Sequence, residues 1–190
     1  MEEALLLFIW AFFESIIWPI PVATILLGIV LKDPKNWFLY GAVTTLGSAL
    51  GGTFAAYLGK LFRKKILEEK GFYWLRRVVG INPANIKEIE QQYQKYGTWA
   101  ILLGALTPLP YKLFTWVSGI LNYDLKKFFV VSLISRGILF MGEAYVIAVF
   151  GEEVFYKYFG TFENLQWVIF AIVAILIVYW IAKHSKDFSS

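Results

Sequence analysis

Long apolar runs alternate with charged stretches along this chain. Five of the runs approach or exceed the roughly 20 apolar residues a helix needs to cross the hydrocarbon core. Residues 37–59 and 165–182 carry no charge and read as ordinary spanning helices. The other three each hold something costly. Residues 4–31 contain Glu14 and Trp18-Pro19-Ile20-Pro21, residues 96–121 contain Lys112 and Thr107-Pro108-Leu109-Pro110, and residues 128–151 contain Arg136 and Glu143. Each proline removes a backbone donor and clashes with the preceding turn, so two at spacing two should break a helix. Broken backbone at membrane depth is tolerated only where protein or a water-filled cavity covers it, which turns both broken segments inward. The pattern predicts an all-α polytopic membrane protein with broken helices folded as re-entrant hairpins. Plain kinks in two spanning helices are the simpler alternative.

A broken segment with an x-Pro-x-Pro centre, followed by a spanning helix, occurs at residues 4–59 and again at 96–151. Two hairpins so placed open to opposite sides, the inverted repeat common in secondary transporters. One membrane domain over residues 1–190 is expected. It holds a first repeat at 4–59, a cytoplasmic interfacial segment at 60–95, a second repeat at 96–151 and a final transmembrane helix at 165–183. Charge supports the second hairpin. With 96–121 re-entrant, one side collects nearly all the Lys and Arg and leaves only Lys32, Lys35 and Lys157 opposite, as the positive-inside bias prefers. For the first hairpin the same bias is silent, because no Lys or Arg precedes it.

Composition narrows the chemistry. The chain is 58% hydrophobic and 17% charged, against about 45–50% and 25% in soluble domains. It has no Cys, and its one His is His184. That removes disulfides and thiol nucleophiles and makes His- or Cys-based catalysis and metal binding unexpected, so no cofactor is predicted. Arg63-Lys64-Lys65 and Arg76-Arg77, beside Phe72, Tyr73 and Trp74, fit an interfacial segment on anionic lipid. Nucleic acid is excluded as a partner, since the positive-inside rule already accounts for the charge. Ile86, Ile89, Tyr93 and Tyr96 recur at helical spacing after Asn82-Pro83. The acidic start Met1-Glu2-Glu3 is unlike a signal peptide, so the first apolar segment is expected to be retained.

Gly47, Gly51, Ala55 and Gly59 recur every four residues, with Ser48, Gly52 and Ala56 in the adjacent row. Such rows let helix backbones approach closely in lipid, and they permit a homo-oligomer as readily as internal packing. Gly59-Lys60 ends like a P-loop, but Phe54 stands where that motif needs Gly, so a nucleotide site is rejected. The charges inside the apolar runs are the strongest local signal, each costing on the order of 2.5–3.5 kcal/mol on insertion scales. Snorkelling of Lys112 and neutralisation of Arg136 by Glu143 are the bland readings. The functional reading places Lys112 and Arg136 in a basic pocket for an anionic headgroup, with Arg as a bidentate phosphate ligand and Lys as a point charge. Glu14 or Glu143 then exchanges a proton or couples an ion. Half-helix N-termini after Pro21 and Pro110 should add positive dipole ends and free backbone donors.

Several of these residues resemble one family. Phe13-Glu14 with Pro19-Ile20-Pro21, Gly47-Ser48-x-x-Gly51-Gly52 with Tyr57-Leu58-Gly59-Lys60, Tyr96-Gly97, Thr107-Pro108-Leu109-Pro110-Tyr111-Lys112 with Gly119, and Ser135-Arg136-Gly137 are similar to the DedA family, in its small YqaA-like branch. The resemblance covers roughly residues 8–151. It implies a multi-pass protein of the inner (cytoplasmic) membrane with two opposed re-entrant hairpins. DedA and related VTT-domain proteins are associated with moving lipids between leaflets, including undecaprenyl phosphate and phospholipids, with dependence on the ion-motive force. This chain departs from the family at Val22 and Ala23, where many members carry a second membrane acid. Thr107 and Lys112 replace a more usual Arg pair, and Leu139 stands where the branch often has Arg.

The expected function is transport without catalysis: a flippase or scramblase moving a phospholipid or polyprenyl phosphate headgroup between leaflets. Lys112, Arg136, Thr107 and Tyr111 are the expected substrate-binding residues, and Glu14 and Glu143 couple a proton or sodium ion. Pro19, Pro21, Pro108 and Pro110 make the hairpin breaks, and Gly47, Gly51, Gly52 and Gly59 serve helix packing. A partner-dependent structural protein and an intramembrane lipid-phosphate enzyme are the alternatives. The enzyme would have to activate Ser, Thr or Glu with no His in the membrane repeats.

Overall fold

The computed structural model describes residues 1–17, 20–68, 86–106 and 111–155. Pro19, Thr107, Pro108, Pro110, most of the basic central segment and the predicted final helix at 165–183 lie outside them. Among the described residues the regular structure is helical. Helix α1 (Glu2–Ile16) and α2 (Val22–Lys32) flank the first proline pair, and a 3₁₀ turn (Pro34–Asn36) leads into α3 (Trp37–Leu61). A short α4 (Arg63–Glu68) follows, then α5 (Ile86–Leu106), α6 (Tyr111–Ile120) and α7 (Leu125–Phe155). Helix α5 runs unbroken through residue 95, so the boundary expected there is not an end of an element.

Local chemistry explains the ends. Pro21 stands just before α2 in extended conformation, φ −63° and ψ 134°, and has no N–H to leave unpaired. Asn122 closes α6 at φ 55°, with Tyr123 N donating to Ser118 O at 2.8 Å and Asn122 N to Gly119 O at 3.0 Å. That is the Schellman pattern, with Asn in the left-handed position it tolerates. Asp124 then accepts from Lys127 N at 2.7 Å and caps α7. Gly151, at φ 73°, ends the regular part of α7, where the apolar run also ends.

Both broken segments fold back on themselves. Tyr40 Oη lies 3.1 Å from Glu3 Oε2 and 2.9 Å from Asp33 Oδ2, so the start of α1 and the end of α2 meet at one hydroxyl. Farther along, Trp10 Nε1 donates to Ile20 O at 3.2 Å. In the second segment Gln94 Nε2 donates to Asn122 O at 2.8 Å, and Thr98 pairs with the Tyr123 hydroxyl at 2.6 Å. At about 1.5 Å per residue, α1, α2 and α6 are each shorter than a bilayer core of about 30 Å.

Helix α3 is the spine between the hairpins. Its N-terminal end holds the base of the first through Tyr40. Just past its C-terminus, Arg63 Nε donates to Ile120 O at 3.0 Å and its guanidinium pairs with Glu90, holding the base of the second. Helix α7 packs antiparallel to α3, with Trp37 against Tyr145 at one end and Thr45 against Gly137 at mid-length. Helix α3 packs on α1 and α6, and α7 packs on α5 and α2.

The outside of the bundle is apolar, and hydroxyl-bearing residues are buried beside the apolar core. Leu5, Ile9, Phe13 and Ile17 on α1, Leu46, Leu50 and Phe54 on α3, and Val130, Ile134 and Ile138 on α7 form exposed apolar rows. Thr44, Thr45, Ser48, Thr115, Ser118, Ser132 and Ser135 are buried. Contiguous exposed apolar surface of this extent is foreign to soluble monomers and suits lipid. Leu125–Gly151 is long and apolar enough by composition to cross a membrane. Helix α3 has the length, at 25 residues, but its Gly, Ser and Thr dilute its hydropathy.

Candidate functional site

The site is built at the middle of α3, where small side chains admit two neighbours at once. A methyl group on Gly47 or Gly51 would strike the backbone of Phe8 or Phe12 in α1. On Gly52 it would meet the Tyr111 ring, and on Gly59 the Trp116 carbonyl at 2.8 Å. The four glycines therefore bring α1 to one side of the spine and α6 to the other, so the end of α1 and the start of α6 both pack near its centre. Trp116 Nε1 joins the halves directly by donating to Ile16 O at 3.0 Å.

Arg136 enters this centre from α7 and is 7% exposed. Its guanidinium carbon sits 4.7 Å from the Tyr111 ring centroid and 4.3 Å from that of Phe140. Tyr111 in turn stacks on Phe128 at 6.4 Å. A desolvated cation–aromatic pair is worth about 2 kcal/mol, and two such faces offset part of the cost of burying the charge. Nε donates to Ser48 Oγ at 2.9 Å, and Ser48 pairs with Ser15 at 2.8 Å.

The other charged candidates fall into two groups. Glu14 Oε2 accepts from Val22 N at 3.2 Å, so it caps α2 at the positive end of the helix dipole. The free donor expected after Pro21 is thus already engaged. Lys112 is half-buried and feels the attraction of Glu14 and the repulsion of Arg136, which puts the three charges in one electrostatic neighbourhood. Glu143, also 7% exposed, lies on α7 beyond Phe140, about 10 Å along the axis from Arg136. Its neighbours Phe140, Ala144 and Ile147 belong to the apolar cluster shared with α2. Tyr111 and Arg136 are in direct contact and Lys112 lies within electrostatic range of Glu14 and Arg136, while Glu143 stands two turns farther along α7.

Sequence reasoning missed the polar partners. Ser15 gave no signal as an isolated hydroxyl, and Ser48 read only as a small residue in a packing row. Trp116 offered a hint, since a buried indole N–H needs an acceptor. Tyr111 Oη and Ser132 Oγ are buried beside Arg136 without a hydrogen bond among the described residues. Those residues hold no cluster of three His, Cys, Asp or Glu fit for a metal.

The family model of the VTT domain matches residues 18–149 of this chain. The chain belongs to the VTT-domain family, the DedA family. An uncharacterized protein of Haemophilus influenzae is 24% identical to it over 179 residues, covering 92% of this chain and 86% of the relative. An HI0703 homolog of Histophilus somni, likewise described as uncharacterized, is 25% identical over 175 residues, covering 88% and 85%. No solved structure matches. VTT-domain proteins are membrane-associated, in agreement with the apolar rows on the outside of this DedA-family fold.

Proposed function

We propose that this VTT-domain protein translocates lipid, carrying the headgroup of a phospholipid or polyprenyl phosphate between leaflets while the tail stays in hydrocarbon. In this reading the two fold-back segments are re-entrant hairpins that enter from opposite faces of the inner membrane and form an inverted repeat. The pairing of α3 with α1 and α6, and of α7 with α5 and α2, supports that symmetry. The observation that carries the reading is a buried guanidinium and a half-buried ammonium near the middle of α3, beside the end of α1 and the start of α6. Inverted-repeat transporters bind at such midplane junctions of broken helices.

Arg136 and Lys112 would hold the phosphate oxygens, with Tyr111 and Thr107 adding hydroxyl donors. Glu14 would couple a proton or sodium ion, a role supported by its hydrogen bond to Val22 N at the start of α2 and its attraction for Lys112. Protonating or masking it would weaken the cap on α2 and the attraction on Lys112 together. Glu143 would act at a distance from the phosphate, on the α2 side of α7.

The test is leaflet exchange of a fluorescent phospholipid and of a polyprenyl phosphate in liposomes carrying the purified protein, with and without a proton or sodium gradient. Arg136 fills the space between two rings, so Arg136→Lys is a better probe than truncation to Ala; Lys112→Ala suits the half-buried position. Losing the guanidinium's paired donors or the Lys112 ammonium should slow exchange roughly ten- to hundredfold, in line with about 1.5–3 kcal/mol per charged hydrogen bond. Glu14→Gln should keep exchange while flattening its dependence on the gradient. Absence of exchange of either lipid by folded wild-type protein under every gradient would sink the proposal.

A further inference from the structure

We propose that Ser15 and Ser48 are positioning residues for Arg136, linking the tip of the first hairpin to the guanidinium through a hydrogen-bond chain of fixed direction. The direction follows from its two ends. Arg136 Nε can only donate, and it lies 2.9 Å from Ser48 Oγ. The Ala11 carbonyl can only accept, and Ser15 Oγ lies 2.9 Å from it. Ser15 and Ser48 are 2.8 Å apart, and each hydroxyl has a single proton. The Ser15 proton therefore goes to Ala11 O, the Ser48 proton goes to Ser15 Oγ, and a Ser48 lone pair receives Arg136 Nε–H. Neither hydroxyl can turn round without breaking a bond at one end.

The chain crosses α1, α3 and α7, and Ser15, Ser48 and Arg136 are all buried. In that low-dielectric setting successive hydrogen bonds polarise one another. Tyr111 and Phe140 fix the plane of the guanidinium, and Ser48 fixes its rotation within that plane. Ser15 lies one residue before the end of α1. Displacing the tip takes away the acceptor of the Ser48 proton, which then turns to the carbonyl one helical turn back in α3. The lone pair offered to Arg136 turns with it. The seating of the first hairpin and the aim of Arg136 are thus coupled. That this tunes the grip on a headgroup rests on the lipid-translocation reading, whereas the relay itself does not.

The chain has four arginines, Arg63, Arg76, Arg77 and Arg136, so selective ¹⁵N-arginine labelling in lipid nanodiscs gives a readable side-chain spectrum. The Arg136 Nε–H signal is assigned by its loss in Arg136→Lys. Ser48→Ala should speed its exchange with water about tenfold, the loss of one charge-assisted hydrogen bond. Ser48→Cys, of nearly the same shape, serves if Ser48→Ala folds poorly. Ser15→Ala should shift the same signal although Ser15 does not touch Arg136, and Ser15→Thr, which keeps the hydroxyl, should restore it. An Arg136 signal indifferent to Ser48→Ala and Ser48→Cys overturns the bond. A response to the Ser48 variants without one to Ser15→Ala overturns the relay. The readout needs no lipid movement, so its failure and a failed exchange assay are separate results.

Discussion

Arg136 carries a permanent charge into the interior, and its neighbours show how the fold tolerates it: two aromatic faces and one serine oxygen. The charge itself was legible in the sequence, because an arginine in an apolar run is too costly to be incidental. Its partners were not, because serine in a small-residue row looks the same whether it packs or accepts a hydrogen bond. Tyr40 is a second case. Its one hydroxyl proton serves two carboxylates, and the Asp33 carboxylate also accepts from Asn36 Nδ2 at 2.7 Å. The Asn36 bond first, and then Tyr40, hold the Asp33 carboxyl below its ordinary value of 3.8. A depressed carboxylate pKa stabilises the fold fully above the unfolded-state value and loses that effect as pH falls through the folded-state value. The base of the first hairpin should therefore be tight above about pH 4 and loosen in stronger acid. A ¹³C titration of Asp33 should give a midpoint below 3.8 that rises in Asn36→Ala; an unchanged midpoint in that variant would contradict the assignment.

At the level of elements, the glycines on α3 set how near its neighbours come. Gly51→Ala places a methyl against the Phe12 carbonyl, backbone that has nowhere to go, and should cost about 1–3 kcal/mol by overpacking. Gly28→Ala on α2 meets nothing within 4 Å and should be stabilising by up to about 1 kcal/mol through helix propensity. Thermal unfolding of both variants in detergent checks the contrast, and equal effects would mean that α1 does not pack on α3 as described. Helices α1, α2, α3 and α7 begin and end near the prolines and apolar-run limits legible in the sequence, since both act locally. The sequence reading placed a boundary at residue 95 that α5 crosses, because charge marks depth in a membrane and does not end a helix.

Across the whole molecule, α3 runs from the base of one hairpin to the base of the other, which yields a test of topology. The chain has no native Cys, so single cysteines report position without background. Glu2→Cys and Lys35→Cys should react with an impermeant maleimide from one side of the membrane. Lys95→Cys and Lys126→Cys should react from the other. Spanning helices in place of hairpins would put Glu2→Cys and Lys35→Cys on opposite sides, a distinction that labelling of intact vesicles settles.

The sequence by itself determined the helical class, the two breaks, the charges within the apolar runs and the membership that its motifs resembled. Each is written in local terms: proline geometry, run length and the cost of a charge in an apolar stretch. Only the tertiary structure decided that the end of α1 and the start of α6 both pack near the middle of α3, that Glu14 caps α2, and that Arg136 leans on Ser48. Those facts depend on the relative register of helices far apart in the chain. Glycine and serine rows permit several such registers, and the combined packing of α1, α6 and α7 on α3 selects one.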